Sequence, residues 1–254
     1  VVESVKIVSA VIILFIAVGS GLYPFLKKLK DGHAHDFPIG ESISVGIFLG
    51  AGLLHMLPES AHGFSDLGYE YPFAFLLAGC IFFFLLHLEH LGNKAAEKGG
   101  ANSIVIIATV MLSIHGFLAG AALGLTGSTS LALVIFLAII GHKWAESFSL
   151  SIKINKSNLT RKKGALLFAT FALMTPLGIF AGSIPHSLID SQPLIEAILS
   201  ALAAGTFIYL GTVHGFSHSA LVKLCCKSTM LGWVLFGFFL MATMSAILSH
   251  SHVH

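Results

Sequence analysis

"LALVIFLAIIGHKWAESFSLSI", residues 131–152, is the stretch on which the fold turns. An apolar run leads into His142, Lys143 and Glu146, and the chain then returns to apolar and small residues. A spanning helix needs about 20 mostly apolar residues, and this segment supplies them. Yet a charge at a helix centre costs about 2.5–3.5 kcal/mol on insertion scales, so such residues face a bundle interior or a watery path rather than lipid. His142 and Glu146 are i,i+4 and share one helix face, and Lys143 is i,i+3 to the same carboxylate. The segment predicts a membrane helix with an inward-facing polar stripe.

The rest of the chain agrees with a membrane setting. It is 56% hydrophobic and 10% charged, with a mean hydropathy of +0.90. Soluble domains carry roughly 25% charged residues, so a water-solvated surface is excluded and a polytopic membrane protein is expected. Cys80, Cys225 and Cys226 form neither a CxxC motif nor an even framework and say nothing of disulfides or zinc fingers. Fourteen histidines are the most informative excess. No stretch reads as a cleavable signal peptide, and the chain starts without Met, so its first residue reads as a processed or trimmed terminus.

Eight segments qualify as spans: about 4–26, 41–61, 72–92, 103–125, 130–152, 164–184, 193–214 and 229–249. Their continuous apolar runs, dotted with Gly and Ala, read as helices packed in lipid. The joints carry turn chemistry, and none is long enough for a second domain, so residues 1–254 read as one transmembrane domain. The loops after spans one, three, five and seven hold Lys27, Lys28, Lys30, Lys94, Lys98, Lys153, Lys156, Arg161, Lys162, Lys163, Lys223 and Lys227, twelve of the fourteen Lys and Arg. The loops after spans two, four and six hold none, and contain Asp66, Glu70 and Asp190. By the positive-inside rule both termini are extracytoplasmic. The fold class is all-α, an eight-transmembrane-helix bundle.

Other spans carry ionisable groups too. Span two has "LLHMLPES", with His55 and Glu59 at i,i+4 and Pro58 expected to bend the helix beyond them. Span three ends in His87, Glu89 and His90, span four carries His115 alone, and span seven runs into His214 and His218. Imidazole with carboxylate suits borderline divalent metals, Zn²⁺ first, with Fe²⁺, Mn²⁺ or Cd²⁺ as alternatives. One i,i+4 His/Glu pair is half a site. His115 is the natural completion, because spans four and five are joined only by "TGSTS" and should pack side by side. Plainer readings stand beside this one. Glu146 could pair with Lys143 purely to fix packing. Glu59 and Glu89 could sit at the outer and inner membrane faces, and the His-rich "DGHAHD" and "HSHVH" could be solvated. Phe82, Phe83 and Phe84 read as lipid-facing or packing residues.

Over essentially its whole length the chain resembles the ZIP family of divalent-metal transporters, in its animal-type branch with His-Lys in the fifth span. The resemblance rests on "GIFLGAGLLHMLPES" (46–60), "LSIHGFLAGAALGL" (112–125), "HKWAESFSLSI" (142–152), "TPLGIFAG" (175–182) and "AGTFIYL" (204–210). It implies a mid-membrane metal site between spans four and five, with spans two and seven nearby. In the family, span four carries His, three residues, then Glu-Gly; here His115 and Gly120 match, but Ala119 stands where the Glu is expected. His142, Lys143 and Glu146 match the span-five pattern. Some members hold two metals bridged by the two glutamates. Here one bridging carboxylate is absent and a cation sits where the second site would form. The resemblance therefore implies a mononuclear site of His115, His142 and Glu146, with Lys143 as the second-site surrogate cation. His55 and Glu59 are assigned to the entrance or gate, and Glu89, His214 and His218 to the pathway or exit.

The function expected is import of Zn²⁺ toward the cytosol, with zinc as transported substrate, no organic cofactor and no enzymatic activity. Asp66, Glu70 and Asp190 would concentrate cations outside. The partners expected are a divalent metal ion and the lipid bilayer, with no nucleic acid and with a homodimer left open. The host membrane is a plasma or bacterial inner membrane, or alternatively an organelle's. Two rivals remain. A metal sensor without flux is made credible by Ala119. A zinc-dependent intramembrane hydrolase lacks an HExxH motif in this sequence.

Overall fold

A computed structural model describes residues 2–27, 37–97, 102–184, 192–214 and 228–250. These residues form eight helices, each long and apolar enough to cross a membrane. They are α1 (Val2–Leu26), α2 (Pro38–Asp66), α3 (Pro72–Glu97), α4 (Ser103–Leu125), α5 (Thr129–Asn155), α6 (Arg161–Ser183), α7 (Gln192–Tyr209, continued by Leu210–His214) and α8 (Ser228–His250). All eight expected spans are present.

The joints follow from local chemistry. Between α2 and α3 the chain turns at Gly68, whose φ of +78° is a conformation that a side chain resists. The Ser128 hydroxyl accepts from the Leu131 amide and caps α5, and Thr160 does the same for α6 through the Lys163 amide.

Helix α4 is the central post. Of its apolar window 72% is buried, against 22% for α3 and for α8, whose outer faces carry exposed side chains such as Phe83, Phe84, Phe236 and Phe239. With the adjoining bilayer in place of water, such faces need no further cover. Phe82 turns inward instead and meets Tyr209 of α7 edge to face.

The tightest seam is α4 against α6, where Gly116, Gly120 and Gly124 run along Thr175, Gly178 and Gly182. A Cβ at Gly120 would overlap the Thr175 carbonyl, so the backbones touch directly. The short α4–α5 joint does bring those two helices together as expected, but α4 has its most extensive packing on α6.

Helix α2 departs from a simple bent helix. Its ladder widens into a π-turn at Ala51–Met56, one residue before the Leu57–Pro58 pair. The irregularity expected at Pro58 therefore lies just upstream of it. Pro58 has no N–H to offer and its ring crowds the carbonyl four residues back, so a register already loosened there accommodates it. A second π-turn, Leu210–His214, ends α7.

Candidate metal centre

Two helices converge on one buried carboxylate. Glu146 Oε1 lies 3.3 Å from His115 Nε2 of α4 and 3.6 Å from His142 Nε2, one turn back on α5. One ligand atom from each of the three lies within 4.8 Å of the others, and all three side chains are buried. This is the single cluster of its kind among the described residues.

Helix α7 lines the site from the other side. The Phe207 ring stacks on His115 with centroids 3.6 Å apart and meets His142 edge-on at 4.8 Å. Phe48 of α2 stacks on Phe207 in turn, at 5.3 Å. His115 Nδ1 is bonded to Thr206 Oγ1 at 2.7 Å and lies 3.2 Å from the Ala203 carbonyl.

The second carboxylate oxygen has another partner. Lys143 Nζ donates to Glu146 Oε2 at 2.8 Å and to Thr175 Oγ1 of α6 at 2.9 Å, and rests 4.2 Å from the centre of the Phe171 ring. The ammonium is thus held by two hydrogen bonds and an aromatic face, which stabilises it where water is excluded. The imidazoles are treated differently. His115 Nε2 and both nitrogens of His142 are buried without a hydrogen bond. A buried polar atom left unsatisfied costs about 1–3 kcal/mol, so two such nitrogens facing one carboxylate oxygen fit a cation-binding role. Two imidazole nitrogens and one carboxylate oxygen are a donor set suited to Zn²⁺.

Two cavities approach the cluster. A wide one of about 690 Å³ is lined by His55, Glu59, His62, Asp66, Glu196 and Ser200 among others, at the end of the bundle where α2 finishes and α7 begins. A small chamber of about 20 Å³ is lined by His55, Glu59, Ser200, Ala119, Ala203 and His142, so three residues are common to both. Its volume suits a single water-sized occupant. His55 Nε2 and Glu59 Oε2 remain paired at 3.6 Å across the loosened turn.

The remaining expected residues lie elsewhere. Glu89 is buried at the opposite end of the bundle, where Lys153 interacts with both Glu89 and Glu41 and where Lys156 donates to Glu41 at 2.6 Å. His214 closes the π-turn of α7, with only its backbone described, and His218 and Asp190 lie outside the described residues.

Sequence reasoning missed Glu196, Thr206 and Thr175. Glu196 lines the wide cavity within electrostatic reach of Glu59, although the two are far apart in the chain. Its one available signal was a lone carboxylate in an apolar span. Thr206 stood inside a quoted motif without a role.

Comparison with known proteins gives one consistent answer. A family model described as "ZIP Zinc transporter" matches residues 3–103 and 92–245. The mouse protein called zinc transporter ZIP2 is 24% identical over 266 residues, covering 81% of this chain and 86% of its own length. Human zinc transporter ZIP2 is 25% identical over 259 residues, covering 78% and 84%. The pufferfish (Takifugu rubripes) zinc transporter ZIP1 is 36% identical over 138 residues, covering 53% of this chain and 44% of its own.

Proposed function

The chain belongs to the ZIP zinc transporter family, and from this premise we propose that it conducts Zn²⁺ toward the cytosol through one metal site of His115, His142 and Glu146. The observation that carries this reading is the convergence of three buried ligand atoms within 4.8 Å, beside a chamber that adjoins a wide carboxylate- and imidazole-lined cavity.

The route follows from the lining. Asp66, Glu59 and Glu196 concentrate cations in the wide cavity, which acts as an outer vestibule. The placement of this vestibule at the end of the bundle carrying Asp66, away from Lys153, Lys156 and Arg161, supports the orientation expected from the positive-inside rule. His55 and Glu59 border both cavities and hand the ion to the chamber. His142 borders the chamber and the metal cluster, so it is the first inner ligand the ion meets. Release toward the Glu41, Glu89, Lys153 and Lys156 end requires the helices there to part. Alternating access around a fixed site is the usual solution.

Lys143 makes the site mononuclear. Its ammonium occupies Glu146 Oε2, and Ala119 offers no carboxylate in compensation. Ala119 also favours a second reading, a metal sensor without flux, because it removes one ligand that the family pattern expects.

Uptake of labelled zinc by liposomes separates the two readings when set beside equilibrium binding. The transporter reading expects uptake by the wild type and its loss in His142→Ala and Glu146→Ala. Tight binding without flux in the wild type favours the sensor, and equal uptake in all three proteins rejects the site.

A further inference from the structure

We infer that Thr206 is a positioning residue that fixes the tautomer of His115, so that Nε2 rather than Nδ1 is presented to the metal. The inference rests on the reading of His115, His142 and Glu146 as the zinc site.

It follows from counting donors. The Thr206 hydroxyl donates to the Ala203 carbonyl within its own helix, at 2.6 Å. A carbonyl oxygen only accepts, so the single hydroxyl hydrogen is spent there. His115 Nδ1 then faces two acceptors, Thr206 Oγ1 at 2.7 Å and Ala203 O at 3.2 Å. Only a protonated Nδ1 satisfies both. In a neutral imidazole the other nitrogen is then bare, and Nε2 and Glu146 Oε1, 3.3 Å apart, oppose two lone pairs, an arrangement that a cation bound between them satisfies. The opposite tautomer would set a lone pair against the Ala203 carbonyl and pull the Thr206 hydrogen away from it. The next residue, Phe207, holds the ring plane by stacking on it. Adjacent positions of the "AGTFIYL" motif thus fix the protonation and the orientation of one ligand from a neighbouring helix.

His142 lacks any such support. Neither of its nitrogens makes a hydrogen bond, and its ring is held by edge contacts with Phe207 and His115. The site therefore combines one imidazole fixed by hydrogen bonds with one that makes none and borders the chamber. The loss of a partner that orients a metal-binding His typically costs 10–100-fold in metal affinity or activity.

The test uses the full chain in lipid nanodiscs, with Zn²⁺ itself as the probe. Thr206→Val keeps the shape and removes the oxygen; it is expected to lower zinc affinity by about 10–100-fold, while Thr206→Ser stays close to wild type. Nitrogen NMR of histidine-labelled protein, with His115 identified through its loss in His115→Gln, should show Nδ1–H and a bare Nε2, giving way to a mixture in Thr206→Val. Wild-type affinity in Thr206→Val, with binding lost in Glu146→Ala, overturns the positioning role and leaves the zinc site standing. Wild-type affinity in Glu146→Ala as well overturns the site and the inference together. Should the Val variant not fold, the wild-type spectrum decides, since Nε2–H on His115 contradicts the assignment.

Discussion

Lys143 Nζ lies 2.8 Å from Glu146 Oε2, and this leaves Oε1 as the oxygen that faces both imidazoles. One carboxylate thereby serves two cations, a resident ammonium on one oxygen and the metal expected on the other. The division explains how a helix tolerates Lys and Glu one turn apart inside an apolar bundle.

Breaking a buried pair by removing one partner costs about 3–5 kcal/mol, because the other charge stays behind. Glu146→Gln is therefore expected to lower the melting temperature in detergent as well as abolish zinc uptake. Adding Lys143→Met should restore most of the stability and none of the uptake. A double variant no more stable than Glu146→Gln would show that the pair does not set stability.

The count of metals should be open to redesign. A second dication about 4 Å from an ammonium is repelled by roughly 8 kcal/mol at an effective dielectric of ~20, which excludes it while Lys143 is present. Lys143→Ala combined with Ala119→Glu removes the repulsion and adds a carboxylate one turn from His115. Elemental analysis of the purified double variant is expected to rise to two zinc per chain, from one in the wild type. An unchanged ratio would mean that Lys143 is not what limits the site.

Asp66 and Glu196 line the vestibule without bordering the inner chamber or belonging to the three-ligand cluster. Asp66→Asn combined with Glu196→Gln should raise the KM for zinc uptake several-fold, with Vmax nearly unchanged, because steering alters encounter more than the later steps. The effect should shrink as salt is added, since screening already weakens interactions beyond about 8 Å at physiological ionic strength. A fall confined to Vmax would place these carboxylates on the transport step instead.

The α4–α6 seam predicts a contrast between two glycines. Gly120→Leu drives a side chain into the Thr175 backbone, and overpacking of this kind costs typically 1–3 kcal/mol. Gly79→Ala meets nothing within 4 Å and should leave melting and uptake as they are. Thermal melting of the two variants side by side checks this, and equal stability would contradict the close contact.

Much of this architecture was legible in the sequence because the bilayer constrains it severely. Apolar length set the eight spans, and the alternation of basic loops set an orientation to be tested. His142 and Glu146 could be paired because i,i+4 spacing puts them on one helix face. His115 could be joined to them because a short turn links its helix to theirs. Thr206 and Thr175 were not legible, since each acts across helices distant in sequence and neither stands out among apolar neighbours. Glu196 was hidden for the same reason, as its companion Glu59 lies on a helix five spans earlier. The π-turn at Ala51–Met56 escaped because Pro58 marks a place of strain but not the residues that absorb it.

The Lys143–Glu146 pair also has an electrical consequence. An ammonium and a carboxylate cancel, and imidazoles must be neutral to bind metal, so the empty site carries no net charge. On the proposed alternating-access reading, membrane voltage then has no grip on the site's residues when they return without metal. At the site it acts on the bound metal, through two elementary charges, at about 4.6 kcal/mol per 100 mV for a full crossing. Under the proposed function an inside-negative potential would therefore draw the metal inward while the site's own residues add no charge to the return.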